Sequence, residues 1–219
     1  MRLFLSIDFS DEIKNILTDA IRQLKRQSSS ANFTREENLH LTLAFIGETE
    51  NYDAAVRAME TIKMQPFDIT VSGFGNFGEL WWIGIDEKQI GKDDRKKDSK
   101  RFIENNAEQI EKTGRKAAAD KNRNQRAENE ADKTSSGTSL YLLAGRIKKA
   151  LRSEGFEIDR KKFKPHITIA RRVKTDIPPE EIRLDVPRAS MTVSGFSLMK
   201  SERINGRLTY TELYWKSLR

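Results

Sequence analysis

The apolar and polar residues of this chain alternate with two different periods, and those periods divide the chain into strands and helices. Residues 2–8 are almost continuously apolar until they reach an acidic residue, which predicts a buried strand. Apolar positions then recur at helical spacing up to Arg26, and Ser10 and Asp11 stand where such a helix is capped. The chain is therefore expected to open with a strand followed by a helix.

The same periodicities continue on both sides of a long polar stretch. Further strands are predicted at residues 40–45, 67–74, 80–85, 163–171, 191–199 and 208–215. Further helices are predicted at residues 54–62 and 140–151, the second of which ends before Gly155. The mixture indicates an α+β fold with antiparallel sheets and outer helices.

The long polar stretch covers residues 91–138 and has almost no apolar side chains except alanine. A segment of this composition buries little surface, so it is either disordered or a polar helical excursion from the domain. Residues 96–131 suit the helical alternative, because they lack proline and include three consecutive alanines. We expect one domain over residues 1–219, with a charged insertion at about 91–138.

A five-residue sequence, Thr-Val-Ser-Gly-Phe, occurs twice, at residues 70–74 and 192–196. Each copy follows a histidine, by 30 positions in the first half and by 26 in the second. Two motifs in the same order at nearly the same spacing indicate an internal duplication. The expected architecture therefore has two pseudo-symmetric α+β lobes around a central cleft.

Composition narrows the classes of partner and compartment. The net charge is +7 and 33% of residues are charged, which favours an anionic partner, nucleic acid first. The absence of cysteine excludes disulfides, thiolate metal sites and a cysteine nucleophile. The first residues lack the features of a signal peptide, and no apolar stretch approaches the roughly 20 residues of a membrane span. We expect a cytoplasmic monomer with no membrane partner.

The two histidines of the chain occur in the same pattern, His-apolar-Thr-apolar. Alternate residues of a strand share a face, so His40 lies on the same face as Thr42, and His166 on the same face as Thr168. If the two lobes face one another, two imidazoles and two hydroxyls meet across the cleft. This arrangement predicts a site for cutting a phosphate ester by general acid and general base catalysis.

Phosphodiester hydrolysis needs one group that takes a proton from water and another that gives a proton to the leaving oxygen. From the residues alone, either histidine can take either role, while Thr42 and Thr168 can donate to the phosphate oxygens. Arg171 could clamp the phosphate. However, it lies five positions after His166, an odd offset that needs a bulge or a strand end to bring it to the same face. Two histidines without a third ligand close by are weak evidence for a zinc site, and no cofactor is expected.

At these residues the chain resembles the 2H phosphoesterase superfamily, and within it the bacterial and archaeal RNA 2′,3′-cyclic phosphodiesterases, historically called 2′-5′ RNA ligases. The resemblance includes the first strand at residues 2–8 and the blocks around each histidine, at residues 37–47 and 163–171. Phe33 differs from the family pattern, because many relatives have tryptophan at this position. The phenylalanine ring should still stack or pack there. The insertion at 91–138 is longer than the usual connection.

The resemblance implies a bilobal pseudo-symmetric fold and hydrolysis of a terminal RNA 2′,3′-cyclic phosphate to a 2′-phosphate. It makes His40 the proton donor to the leaving oxygen and His166 the acceptor that activates water. It makes Thr42, Thr168 and Arg171 the phosphate-binding residues. The partners implied are RNA ends, tRNA fragments among them, or small cyclic nucleotides.

Two other functions fit the same residues. One is a side activity that joins RNA ends through a 2′-5′ linkage, since ligation reverses diester cleavage at the same site. The other is a non-catalytic module that binds RNA or nucleotides in the cleft. A His40→Ala variant separates catalysis from binding, because only a catalyst loses turnover while it keeps much of its affinity.

Overall fold

Two antiparallel sheets, one of four strands and one of five, make up the frame of this computed structural model. The structure describes residues 1–86 and 139–219, and the predicted insertion at 91–138 lies outside the described residues. The predicted α+β class with two antiparallel sheets and outer helices is confirmed.

The described elements follow the predicted order of strands and helices. The strands are β1 (Arg2–Ile7), β2 (Ser30–Phe33), β3 (Leu41–Glu48), β4 (Phe67–Phe77), β5 (Leu80–Asp86), β6 (His166–Lys174), β7 (Ala189–Val193), β8 (Gly195–Ile204) and β9 (Arg207–Ser217). The helices are α1 (Asp11–Arg26), α2 (Tyr52–Glu60) and α3 (Ser139–Ser153). Short 3₁₀ turns occupy Glu36–Asn38 and Pro179–Glu181.

The four-stranded sheet has the order β3-β1-β8-β9, which places the first strand of the chain in its interior. Five consecutive residues of β1, from Leu3 to Ile7, are buried. A strand that is covered on both faces reads as a continuous apolar run, which explains the pattern seen in the sequence. β1 in turn pairs with β3, the strand that follows the first histidine.

The five-stranded sheet has the order β2-β6-β5-β4-β7, and β6 begins with the second histidine. Helix α1 packs against β2, β6 and β7 of this sheet. Helices α2 and α3 pack against each other and contact β9 and β3 of the four-stranded sheet. Each sheet is thus covered by helices. None of the helices within residues 1–86 and 139–219 is long and apolar enough to cross a bilayer.

Helix α1 shows how closely local sequence determines an element. The Ser10 hydroxyl accepts a hydrogen bond from the backbone N–H of Ile13 at 3.4 Å, as the capping prediction required. The buried face carries residues at helical spacing, Ile13, Leu17, Ala20 and Leu24. The helix ends at Arg26, as predicted.

The repeated Thr-Val-Ser-Gly-Phe sequence lies in two adjacent antiparallel strands. The first copy is in β4, and the second starts in β7, which pairs with β4. Ile69 and Met191 each precede the threonine of their copy, and these two residues are partners in the ladder. A two-fold relation between the copies makes equivalent positions face each other in this way.

The two copies then diverge, and this divergence corrects one predicted strand. Residues 191–199 were expected to form a single strand, but the chain leaves the five-stranded sheet at Ser194 and enters the four-stranded sheet at Gly195. In the first copy the chain instead stays in the five-stranded sheet through an irregularity between Val71 and Phe74. Both copies shift the alternation at their Ser-Gly step, since three positions separate Val71 from Phe74 and Val193 from Phe196. The sequence pattern alone therefore does not show which copy changes sheet.

Candidate active site

His40 lies directly before β3, where the chain enters the four-stranded sheet. Its Nδ1 is 2.7 Å from the backbone carbonyl of Asn38, and its Nε2 is 2.9 Å from the hydroxyl of Thr42. The ring is held between Phe4 and Tyr210, with centroids 5.0 and 5.1 Å away. The imidazole is therefore fixed both by hydrogen bonds in its plane and by aromatic packing.

His166 opens β6 in the five-stranded sheet and repeats part of this arrangement. Its Nδ1 is 2.8 Å from the backbone carbonyl of Lys164, again two residues earlier in the chain. The edge of the ring meets Phe77 at a centroid distance of 5.7 Å. Both histidines are thus oriented by a main-chain carbonyl at the same offset.

The carbonyl partners decide which nitrogen of each ring is left to exchange a proton with a substrate. A carbonyl oxygen can only accept a hydrogen bond, so Nδ1 of each imidazole must carry a hydrogen. The remaining nitrogen, Nε2, then gains or loses the proton that changes the charge of the ring. Two such Nε2 atoms can act as a proton donor and a proton acceptor.

A single cavity of about 510 Å³ brings the predicted site residues together. Its lining includes all five of them, His40, Thr42, His166, Thr168 and Arg171. The cavity therefore collects side chains from both sheets, as the sequence pattern predicted. His166 also borders a second cavity of about 550 Å³, which Trp82 helps to line.

Arg171 reaches this cavity because β6 contains a bulge. Trp81 pairs with Ala170 and Trp82 pairs with Thr168, so Ile169 is an extra residue in the ladder. An extra residue reverses the alternation of faces beyond it. Arg171 is thereby brought to the face of Thr168, which the odd offset from His166 would otherwise prevent.

The surroundings of His40 disfavour a proton on its imidazole. Burial is the main cause that lowers the pKa of the His40 imidazole below its ordinary 6.5. The positive charge of Arg171, and that of His166 when it is protonated, lower this pKa too, while the Asn38 carbonyl and the Asp8 carboxylate raise it. A phosphate anion in the cavity would offset those positive charges and favour protonated His40.

Comparison with known proteins agrees with this geometry. The chain matches the family model described as LigT like phosphoesterase over residues 7–80 and 133–210, more than half of its length. The chain belongs to this family. The two matched segments contain both histidine motifs, one in each.

Several curated relatives of this chain are named RNA 2′,3′-cyclic phosphodiesterase. The RNA 2′,3′-cyclic phosphodiesterase of Thermotoga maritima is 33% identical over 39% of this chain and 51% of the relative. The protein of the same name from Geobacillus stearothermophilus is 26% identical over 87% of this chain and 48% of the relative. The chain spans about half the length of these relatives.

Solved structures share the fold of this chain. The crystal structure of Escherichia coli LigT in its apo form has a TM-score of 0.62 at 22% identity, and covers 99% of this chain and 96% of that one. A likeness at this identity establishes the architecture of the two sheets and their helices. It agrees with the fold that the sequence motifs implied.

Several residues of the site escaped prediction from sequence. Tyr210 packs on His40 and lines the cavity. Burial raises the pKa of the Tyr210 hydroxyl above its ordinary value, so this hydroxyl stays protonated at neutral pH. Its strand was predicted, but the contact depends on β9 lying in the same sheet as β3. Asn38 and Lys164 were missed because their backbone carbonyls, not their side chains, hold the histidines.

The described residues contain no group of three or more His, Cys, Asp or Glu side chains placed to hold a metal ion. The lining of the main cavity instead combines imidazoles, hydroxyls and guanidinium groups. This set can bind an anion and move protons beside it.

Proposed function

We propose that this protein hydrolyses the terminal 2′,3′-cyclic phosphate of RNA and leaves a 2′-phosphate. Membership of the phosphoesterase family and the name shared by its relatives support this reaction class. The substrate is RNA with a cyclic phosphate end, and the two histidines move the protons.

One observation carries the proposal: both histidines line one cavity, and main-chain carbonyls hold the Nδ1 atoms of both. General acid and base catalysis needs a donor and an acceptor on opposite sides of a phosphorus atom. The two sheets supply one imidazole each. Since carbonyls hold both Nδ1 atoms, the chemistry is assigned to the two Nε2 atoms.

In the proposed step, Nε2 of His166 takes a proton from water as the water oxygen bonds to phosphorus. The bond between phosphorus and the ribose O3′ breaks, and Nε2 of His40 gives its proton to O3′. The product keeps the phosphate on O2′. The histidines finish with their protonation states exchanged, and proton exchange with solvent restores them.

The assignment of His40 as the donor follows the resemblance to the RNA cyclic phosphodiesterases, and electrostatics supply a physical reason. Burial and the nearby positive charge of Arg171 keep the pKa of His40 low. A bound phosphate monoanion offsets this charge and raises that pKa. Substrate binding therefore favours the protonated form of His40, which the proposed step requires.

Thr42, Thr168 and Arg171 hold the non-bridging oxygens in this proposal. The Thr42 hydroxyl is already 2.9 Å from Nε2 of His40, so it can contact the phosphate and the donor together. The guanidinium of Arg171 offers paired N–H groups that suit two phosphate oxygens. Donors fixed before the reaction stabilise charge that develops in the transition state.

The direct test incubates the protein in EDTA with a short RNA that ends in a 2′,3′-cyclic phosphate and resolves the 2′- and 3′-phosphate products. We expect conversion to the 2′-phosphate alone, because His40 protonates O3′. A 3′-phosphate product would reverse the assignment of the leaving oxygen. No conversion by folded protein would contradict the proposed substrate.

A further inference from the structure

One arginine of the cavity has a backbone conformation that is unusual for its residue type. Among residues 1–86 and 139–219, only Arg172 and Asn205 are non-glycine residues with positive φ, at 52° and 50°. Asn205 precedes Gly206 in the turn between β8 and β9, where an Asn-Gly pair is the favoured sequence. Arg172 has no such explanation, since arginine rarely adopts this region.

The conformation of Arg172 belongs to a second bulge in β6. Asn32 pairs with Arg171 and Ser30 pairs with Lys174, so Arg172 and Val173 together face one residue of β2. The left-handed first position of such a bulge normally holds glycine. The backbone N–H of Val173 donates to the carbonyl of Glu79 at 3.1 Å, which anchors the bulge to the turn after β4.

Arg172 lines the main cavity and has no partner among the described residues. It is exposed and lines the cavity with the two histidines. Within the described part of the chain, its guanidinium makes no hydrogen bond and no ion pair. By contrast, Arg35 binds Glu37 and Arg203 binds the carbonyl of Gly206.

Charge balance indicates what Arg172 can bind. A 2′,3′-cyclic phosphate carries one negative charge, for which Arg171 and the two threonines already provide donors. No aspartate or glutamate lines the described cavity, so Arg172 and Arg203 are cations in excess of that charge, and of these two Arg172 is the one without a partner among the described residues. The next phosphate of an RNA strand is the diester that joins the terminal nucleotide to the nucleotide before it.

We propose that Arg172 binds this internucleotide phosphodiester and so makes the site prefer an RNA strand to a cyclic mononucleotide. The inference rests on the proposed function, because it adds a second phosphate to the same substrate. A guanidinium suits a phosphodiester, which offers it two oxygens. Backbone strain that glycine would relieve is retained where the side chain has a function.

The test isolates the charge of the internucleotide group. We would measure kcat/KM for two dinucleotides that end in a 2′,3′-cyclic phosphate, one with a normal phosphodiester and one with an uncharged methylphosphonate linkage. The proteins are wild type, Arg172→Gly and Arg172→Asn, with Asn205→Gly as the matched control. Glycine and asparagine both tolerate positive φ, so neither variant strains the bulge further.

We expect wild type and Asn205→Gly to favour the charged linkage roughly tenfold, the usual size of a charge-assisted hydrogen bond. In both Arg172 variants the preference should fall to within about twofold, and the melting temperature should not drop. A preference that survives in the Arg172 variants would overturn the inference, as would its absence from wild type.

The proposed function fails in a different way, namely if wild type turns over neither dinucleotide. In that case the dissociation constants of the two dinucleotides test Arg172 alone. Weaker binding of the charged dinucleotide to the Arg172 variants, with equal binding of the neutral one, would support the inference. Equal binding of both dinucleotides by all proteins would overturn it.

Discussion

At the scale of single residues, the site depends on backbone carbonyls more than on acidic side chains. Each histidine gives its Nδ1 hydrogen to the carbonyl two residues earlier. The sequence revealed the histidines and threonines because they form a repeated pattern. It could not reveal the carbonyl partners, since every residue has a carbonyl and only the chain path decides which one is in reach.

Thr42 gives the first prediction at this scale. Replacing Thr42 with valine keeps the shape but removes the hydroxyl beside Nε2 of His40, so we expect kcat to fall roughly 10–100-fold, as for loss of a hydrogen bond to charge. Thr42→Ser keeps the hydroxyl and should stay within about fivefold of wild type. Steady-state kinetics of both variants provide the measurement, and equal activity of valine and serine variants would exclude a role for the hydroxyl.

The depressed pKa of His40 gives the second prediction. NMR titration of the free protein should show one imidazole with a pKa below 6.5, absent in His40→Gln, and inorganic phosphate should raise it. Since the sequence has only two histidines, the assignment needs only the two single variants. A His40 signal that titrates above 6.5 without phosphate would contradict the account.

The lowered pKa of His40 also makes the free energy of unfolding depend on pH, in a direction that can be worked out. Below pH 6.5 the unfolded chain binds a proton at position 40 that the folded protein disfavours. The free energy of unfolding should therefore decrease as pH falls from 6.5 toward the lower folded pKa, and be unaffected by His40 above 6.5. Denaturant unfolding should show that His40→Gln loses this part of the pH dependence, while His166→Gln retains it.

At the scale of elements, local rules predicted most strands and helices but not the irregularities that place the site. The apolar pattern of β1 and the cap of α1 follow directly from side chains. Arg171 faces the cavity only because β6 has an extra residue at Ile169. A bulge depends on pairing with neighbouring strands, so the alternation of apolar and polar residues within one strand does not predict it.

Helix α1 gives a prediction that separates stability from activity. Ser10→Ala removes the acceptor of the Ile13 N–H and should lower the free energy of unfolding by about 1 kcal/mol. Ser10→Asp should restore it, since a carboxylate also caps the helix and favours its N-terminus. Urea unfolding measures the difference; kcat should not change, because Ser10 is not part of the cavity lining.

At the scale of the whole molecule, the candidate site takes one histidine from each of the two sheets. His40 leads into the edge strand β3 of one sheet, and His166 begins β6 of the other. The repeat in the sequence predicted two lobes, and the pairing of Ile69 with Met191 agrees with a two-fold relation. The change of sheet at Ser194 was not predictable, because the same Ser-Gly step in the first copy leaves the chain in one sheet.

The central claim is that the two histidines work as a pair on one phosphate. The most direct test is the single-turnover rate on RNA with a 2′,3′-cyclic phosphate end, for His40→Ala, His166→Ala and the double variant. Each single variant should lose about 10²–10⁴-fold, and the double variant should lose little more, since groups that act as a unit are not additive. A single variant that keeps the wild-type rate, while folded and able to bind the RNA, would contradict the account.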